Sequence, residues 1–461
     1  MTRLQPIAAL CALGLCATSA YAATTDDAAA LRTELASLKA DYTARVAALE
    51  ARLARLESAA ASLPPQAAAP PPPPADAARA ATAFNPAISM ILGGSYTDTS
   101  RDPRDWRVGG FMPSGGEVGP GERSFNLGES ELTLSANVDP YFSATLTAAI
   151  TGEDEIEVEE AFVRTLALPA GFTAKAGRFF SGFGYLNEVH AHAWDFADQP
   201  LVYQAFFGRQ MAQDGLQVKW LAPTDLFMEF GAEAGNGAAF PGTHRNRNGL
   251  SATTLFGHVG GDLGVTTSWR AGVSWLDQRA ADRAYEDSNE LGVPVIDAFT
   301  GQSRTWVVDA VLKWAPNGDA TRRQLKLQGE YMRRRDDGEL AYDVDGPGLA
   351  GRFRDRQSGW YLQAVYQFRP RWRVGARYDA LDSGAPDIAL VADGTLPAGA
   401  FPLLQPADPD RVSLMLDWIP SEFTRLRAQY AWDDARADGR RDRQLRLQYL
   451  FGIGAHGAHK Y

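Results

Sequence analysis

Gln444-Leu445-Arg446-Leu447-Gln448-Tyr449-Leu450-Phe451 decides the fold. Leu445, Leu447, Tyr449 and Phe451 alternate with Gln444, Arg446, Gln448 and Leu450, and the apolar set keeps its parity through Ile453 to the terminal Tyr461. A period of two puts one set of side chains on each face of a strand. The same alternation recurs along nearly the whole chain from Ala87 onward, with polar or charged residues on the second face and aromatic residues near the strand ends. Lipid outside and water within produce that pattern, so the expected fold is all-β, a transmembrane antiparallel β-barrel.

From Ala87 there are about 16 strand candidates, joined by connections of two kinds, as the two sides of a bacterial barrel require. Tight turns fall at Asp139-Pro140, Pro169-Ala170-Gly171, Pro223-Thr224-Asp225, Asp262-Leu263-Gly264, Pro316-Asn317-Gly318, Arg369-Pro370-Arg371 and Pro420-Ser421-Glu422. Several repeat one device: an aromatic residue (Trp220, Trp314, Phe368, Trp418), a proline soon after, then another aromatic (Phe227, Trp372, Phe423). Proline ends the ladder there without interrupting it. The alternate connections, rich in Gly, Asp and Arg, are expected as long loops over 97–123, 185–213, 238–248, 281–304, 338–356 and 383–408, with shorter ones near 153 and 437. A soluble β-sandwich would not band Trp and Tyr at both strand ends or keep Arg and Glu on its inner face.

Upstream of the barrel region, 84–461, three segments are expected. Residues 1–22 read as a secretory signal peptide, with Arg3, an apolar stretch from Ile7 to Ala17 and the small-x-small ending Ala20-Tyr21-Ala22. Both cysteines, Cys11 and Cys16, lie inside it and each follows leucine, so the mature chain is expected to be cysteine-free and without a lipid anchor. Over 23–63, Leu35, Leu38, Tyr42, Val46, Leu49, Leu53 and Leu56 repeat at spacings of three and four, the seam of a short coiled-coil helix with a stutter near Tyr42. A Pro- and Ala-rich linker over 64–83 follows. Beyond the signal, no run approaches the roughly 20 apolar residues of a membrane helix.

The formal charge is −11, and residues 1–83 balance seven basic against seven acidic side chains, so the excess sits in the barrel. Nucleic acid is thereby disfavoured as a partner. Assigning each polar strand face to the lumen gives the bases Lys175, Lys219, Arg270, Lys313, Lys326, Arg373, Arg377, Arg425, Arg427 and Arg446. The same rule gives the acids Glu129, Glu131, Glu157, Glu159, Glu229, Glu233, Asp309, Glu330, Asp379 and Asp417. The acids lie mostly before residue 240 and the bases mostly after 265, an arrangement read either as a field across the pore that favours dipolar solutes or as plain solvation of a wet bore. The adjacent Glu159 and Glu160 break parity, as at a bulge.

Signal, coiled coil, proline linker and about 16 strands closing on a terminal aromatic resemble the phosphate-selective porin family of Gram-negative outer membranes. The resemblance implies a homotrimer of 16-stranded barrels, with the N-terminal helix in the periplasm. Gly177-Arg178-Phe179-Phe180-Ser181-Gly182-Phe183-Gly184-Tyr185-Leu186-Asn187, then His190-Ala191-His192-Ala193-Trp194-Asp195-Phe196, with the ending Gly454-Ala455-His456-Gly457-Ala458-His459, is similar still more closely to a porin-sized group labelled zinc-regulated TonB-dependent outer membrane receptors. That label implies regulation by zinc more than transport of zinc. True TonB-dependent receptors carry a plug before a barrel of about 22 strands. Here the first strand follows the linker directly, so passive diffusion of small hydrophilic solutes or ions ranks above energised uptake. A basic excess, which phosphate selectivity would need, is missing from the lumen set.

Six histidines are present. His190 and His192, two apart in an extended stretch, point the same way, and Asp195 or Asp198 could complete a metal site of His and carboxylate ligands, with Zn as the candidate ion. Solvated or packed loop histidines are the plainer reading. His456 and His459, three apart, would face opposite sides of a strand, and His244 reads as exposed. No nucleophile, phosphate or dinucleotide motif is present, so no enzyme and no required cofactor are expected. The segment 185–213, after the fifth strand, is the expected constriction. Two other readings stand beside the channel: a structural envelope barrel with a periplasmic tether, and a TonB-linked metal receptor lacking its own plug.

Overall fold

The computed structural model describes residues 86–115, 118–150, 155–244 and 246–454, together with Lys39, Thr43, Ala47 and Ala51, each of which is α-helical. The expected signal over 1–22, the linker over 64–83, His456, His459 and most of the coiled coil over 23–63 lie outside the described residues. Two compact units, Met1–Ala78 and Arg79–Tyr461, divide the chain, and the second holds the barrel.

Sixteen antiparallel strands form it. In order, the first eight are Ala87–Thr99, a strand broken into Ser124–Leu127 and Ser130–Asn137, Phe142–Ile150, Ile156–Thr165, Phe172–Phe180, Ala212–Leu221, Phe227–Gly235 and Ala252–Leu263. The second eight are Thr267–Ser288, Pro294–Trp314, Gln324–Tyr342, Leu349–Arg369, Trp372–Asp382, Asp410–Ser421, Thr424–Asp433 and Asp442–Gly454. Each pairs with its neighbour in sequence, and Ala87–Thr99 closes the barrel on Asp442–Gly454 in the register Gly94↔Tyr449. Closure leaves no open edge in the hydrocarbon region, where an unpaired backbone group would find no water. A side chain at this seam would have to displace the tyrosine ring, because a Cβ on Gly94 would lie 2.3 Å from Tyr449 Cζ.

Facing follows the alternation. Trp306, Leu414 and Tyr449 are 55%, 45% and 41% exposed on the outside, whereas Arg377 and Arg427 are 2% and 3% exposed within. Aromatic pairs such as Trp372 with Trp418, at 6.1 Å, and Trp360 with Tyr378, at 5.5 Å, mark the two interfacial bands. Each expected tight turn joins neighbouring strands. Its shape is carried by left-handed residues such as Ala170, Asn317 and Arg371, or by Asp139 Oδ1 accepting from the amides of Tyr141 and Phe142 at 2.7 and 2.8 Å.

Two expected loops are not loops. Residues 281–304 and 338–356 continue as strands, giving ladders of 19 to 22 residues where a membrane needs about 9–11. Their tips are short, with Asn289 accepting from Leu291 and Val293 amides at 3.0 Å. The inward alternation of Arg283, Tyr285 and Asp287 continues above the membrane, where water makes the outer face polar too and the contrast between faces fades.

The interior also departs from a simple wet bore. Phe183, Leu201, Val202, Tyr203, Phe206 and Phe207 form an apolar core inside the barrel against the inward strand residues Leu276, Val307, Met332, Tyr361 and Leu381. A second cluster, among it Phe299, Leu340, Phe353, Leu390, Phe401 and Leu404, seats the 383–408 connection between the tall strands. Each such side chain buried contributes roughly 1.5–3 kcal/mol.

Candidate functional site

The connection after the fifth strand, Ser181 to Met211, enters the lumen and carries the short, roughly two-turn helix Leu201–Phe207. Its first residues are fixed by two wall carboxylates. Glu233 accepts from Ser181 Oγ at 2.5 Å and the Gly182 amide at 2.8 Å, and Glu330 accepts from the Leu186 amide at 2.9 Å and from the hydroxyls of Tyr203 and Tyr361 at 2.8 Å. Asn187 stitches the two ends together: its amide donates to Ser181 O and Met211 O at 2.8 and 3.0 Å, while its oxygen accepts from the Met211 amide at 2.8 Å.

Arginines of the wall then hold the segment's backbone carbonyls almost residue by residue. Arg270 donates to Gly184 O at 3.1 Å, Arg425 to His192 O and Trp194 O at 3.1 Å, and Arg427 to Trp194 O at 2.9 Å. Arg446 follows on Ala197 O at 2.9 Å, Arg377 on Asp198 O at 2.8 Å, Arg411 on Gln199 O at 2.7 Å and Arg334 on Phe206 O at 3.1 Å. Such charge-assisted bonds are the strong ones.

Charge complementarity runs the same way. Asp195 takes Lys326 at 2.9 Å and Arg373 at 3.0 Å, and Asp198 takes Arg377 at 2.9 Å and Arg411 at 3.0 Å. Burial alone would raise both carboxyls, but Lys326 and Arg373 around the first, and Arg411 and Arg377 around the second, hold them well below the usual carboxylate range. Arg373 and Arg427 also share Asp417, with Arg427 Nε at 2.8 Å from it.

The opposite end of the segment reaches the acidic wall. His190 Nδ1 lies 3.3 Å from Glu131 Oε2 and 3.2 Å from Glu159 Oε2, its Nε2 lies 3.1 Å from Glu160 Oε2, and His192 Nδ1 lies 2.7 Å from Glu131 Oε1. Burial disfavours the imidazolium of His190, yet the hydrogen bonds to Glu131, Glu159 and Glu160 outweigh it and hold its pKa well above the ordinary value. The Glu159–Glu160 parity break is a bulge: Thr147 pairs with Glu160 and Ala148 with Val158, leaving Glu159 between them.

The structure thus separates the three expected metal residues. His190 and His192 share Glu131, whereas Asp195 sits with Lys326 and Arg373, because the segment crosses the lumen between them. Among the expected lumen groups, Arg377 and Arg427 lie beneath the segment and out of water, and Lys175 is buried with its ammonium 4.4 Å from the Phe162 ring centre. Glu129 is half-buried at the break in the second strand. Groups that keep some exposure include Lys219 with Glu188 and Glu229, at 3.1 and 3.6 Å, along with Lys326, Arg373, His190 and His192. Arg411, Arg334 and Glu188 were missed: the first two stand beside stretches rich in loop-forming residues, and the third carries no periodic signal.

No protein-family model matches the chain. An uncharacterized protein of Aquifex aeolicus (strain VF5) is 32% identical over 409 residues, which cover 82% of this chain and 80% of that protein. The chain belongs to that protein's family. Among solved structures, it is similar to a loop-L8-deleted form of the outer membrane protein OmpT of Vibrio cholerae, at 12% identity and TM-score 0.49, covering 80% of this chain and 99% of that one. The outer membrane channel DcaP of Acinetobacter baumannii gives 13% and 0.48, covering 80% and 97%, and an anion-selective porin from Comamonas acidovorans gives 10% and 0.46, covering 80% and 99%. A closed, even-stranded antiparallel barrel with an apolar exterior is the architecture of an outer-membrane protein.

Proposed function

We propose that this barrel is a passive channel of a Gram-negative outer membrane, admitting small hydrophilic solutes or ions through a bore narrowed by the segment Ser181 to Met211. The observation that carries the reading is the set of partly exposed charged side chains beside the segment: Glu188, Lys219 and Glu229 on one side, Lys326 and Arg373 on another, His190 and His192 on a third. Water-reached groups of both signs beside the segment outline a path suited to polar solutes of small size and favour neither anions nor cations. Phosphate selectivity and energised metal uptake therefore rank behind it. Homotrimeric assembly, through the barrel and the coiled coil over 23–63, belongs to the same reading.

A second reading, a closed structural barrel, is favoured by the complete burial of Phe183, Tyr203 and Phe206 in the lumen. Swelling of liposomes that hold the purified protein separates the two. Sugars of a few hundred daltons entering at rates that fall with size support the channel, and protein-loaded liposomes that swell no faster than empty ones support the closed barrel.

A further inference from the structure

The acidic wall and the two histidines do more than pair charges. Three carboxylates converge on one imidazole, with side-chain exposures of 3% for Glu131, 9% for Glu159 and 13% for Glu160. Without the bulge, strand alternation would turn either Glu159 or Glu160 toward lipid, and the extra residue brings both to the lumen. Placing two carboxylates inward at this point is a construction, and it is aimed at His190.

We propose that His190 Nδ1, Glu131 and Glu159 bind one divalent cation of the Zn2+ type, which fastens the inward segment to the acidic wall. One ligand atom from each of the three residues lies within 4.8 Å of the others. The two contacts from His190 Nδ1, 3.3 Å to Glu131 Oε2 and 3.2 Å to Glu159 Oε2, match the edge of about 3.3 Å of a tetrahedron whose metal bonds are about 2.0–2.1 Å. Those two edges already have the span that a bound ion requires, and the third, between the carboxylate oxygens, is 4.8 Å or less. Glu160, at 3.1 Å from Nε2, holds the far side of the ring, which is how a carboxylate outside the coordination sphere fixes the tautomer of a metal-bound histidine. The Phe180 ring stands edge-on to the imidazole at 5.2 Å, and His192 braces the second oxygen of Glu131 at 2.7 Å. Three protein ligands leave a fourth position for water, and the 22% and 16% exposure of His190 and His192 keeps the cluster within reach of solvent. Imidazole nitrogen with carboxylate oxygen suits Zn2+ better than Mg2+ or Ca2+, which take oxygen ligands alone.

The test uses the full-length protein in detergent micelles, with calorimetric titration by Zn2+ and visible absorption of Co2+ as a reporter of coordination. One Zn2+ per barrel is expected, with a tetrahedral Co2+ spectrum. His190→Ala should weaken binding by about a hundredfold or more, Glu159→Gln by at least about tenfold and Glu160→Gln by about 10–100-fold, as for other outer-sphere partners. His244→Ala should leave Zn2+ affinity unchanged, since His244 is exposed and outside the cluster. Heat-dependent mobility in gel electrophoresis reports folding, and if His190→Ala fails that check, the isosteric Glu159→Gln decides. No saturable binding by the wild type, wild-type affinity in Glu159→Gln, or binding abolished by removal of His456 and His459 alone overturns the site. The site is independent of the channel reading: zinc binding without solute entry would leave it standing, and solute entry without zinc binding would remove it alone.

Discussion

Asp198, on the inward segment, and Arg377, on the barrel wall, meet at 2.9 Å with side chains only 8% and 1% exposed. The same guanidinium donates to the Asp198 carbonyl at 2.8 Å and to Asp379 at 2.9 Å, while Arg411 holds the other Asp198 oxygen at 3.0 Å. A carboxylate brought in by the segment thus joins Asp379 and Asp433 of the wall in pairing two buried arginines.

Asp198→Asn should therefore loosen the segment at its helix end. Removing one partner of a buried ion pair costs up to about 3–5 kcal/mol, and here Arg377 and Arg411 would be left to Asp379 and Asp433. The expected outcome is faster proteolysis between residues 195 and 207 with the barrel still folded, checked by digestion of the protein in micelles followed by mass spectrometry.

The pH dependence of docking follows from the depressed carboxyls of Asp195 and Asp198. A group whose folded pKa lies below its unfolded value contributes stability that is present above the unfolded value and lost as pH falls through the folded one. Docking at this end should hold from neutral pH down to the ordinary carboxylate range near 4 and give way only well below it. Protease sensitivity of the same stretch that begins to rise near pH 6 would contradict this.

Outside the barrel the rule reverses. Leu414 faces lipid near the middle of its strand, so Leu414→Arg should cost about 2–4 kcal/mol when the protein is refolded into vesicles and its stability measured in denaturant. A polar change at its inward neighbour Ser413, such as Ser413→Asn, carries no lipid penalty.

The seam offers a reciprocal test. Gly94→Val should destabilise closure by roughly 1–3 kcal/mol by overpacking against Tyr449. Adding Tyr449→Ala should return part of the loss, read as the unfolding midpoint of the single and double variants.

Much of the barrel was legible in the sequence because a membrane gives the two strand faces opposite solvents. Trp306, Leu414 and Tyr449 outside and Arg377 and Arg427 inside follow from parity alone, as do the proline-marked turns. Above the membrane both faces meet water or protein, so the strands through Arg283 and Gly338 read as loops. Period two also tells that a side chain points inward without telling what fills the inside. Arg425, Arg427 and Arg446 were read as lining water, yet they grip the carbonyls of Trp194 and Ala197 from 231 to 249 residues away in sequence. Asp195 was grouped with His190 and His192 by nearness in the chain. The segment spans the lumen, so neighbours in sequence reach opposite walls.

Single-channel recording in planar bilayers, comparing the wild type with Asp195→Asn/Asp198→Asn, reaches the central claim that a segment clamped by ion pairs narrows a water-filled bore. The wild type should give small, discrete conductance steps with little preference between anions and cations, and the double variant larger ones. Absence of steps from both, or steps of equal size in the two proteins, would contradict it.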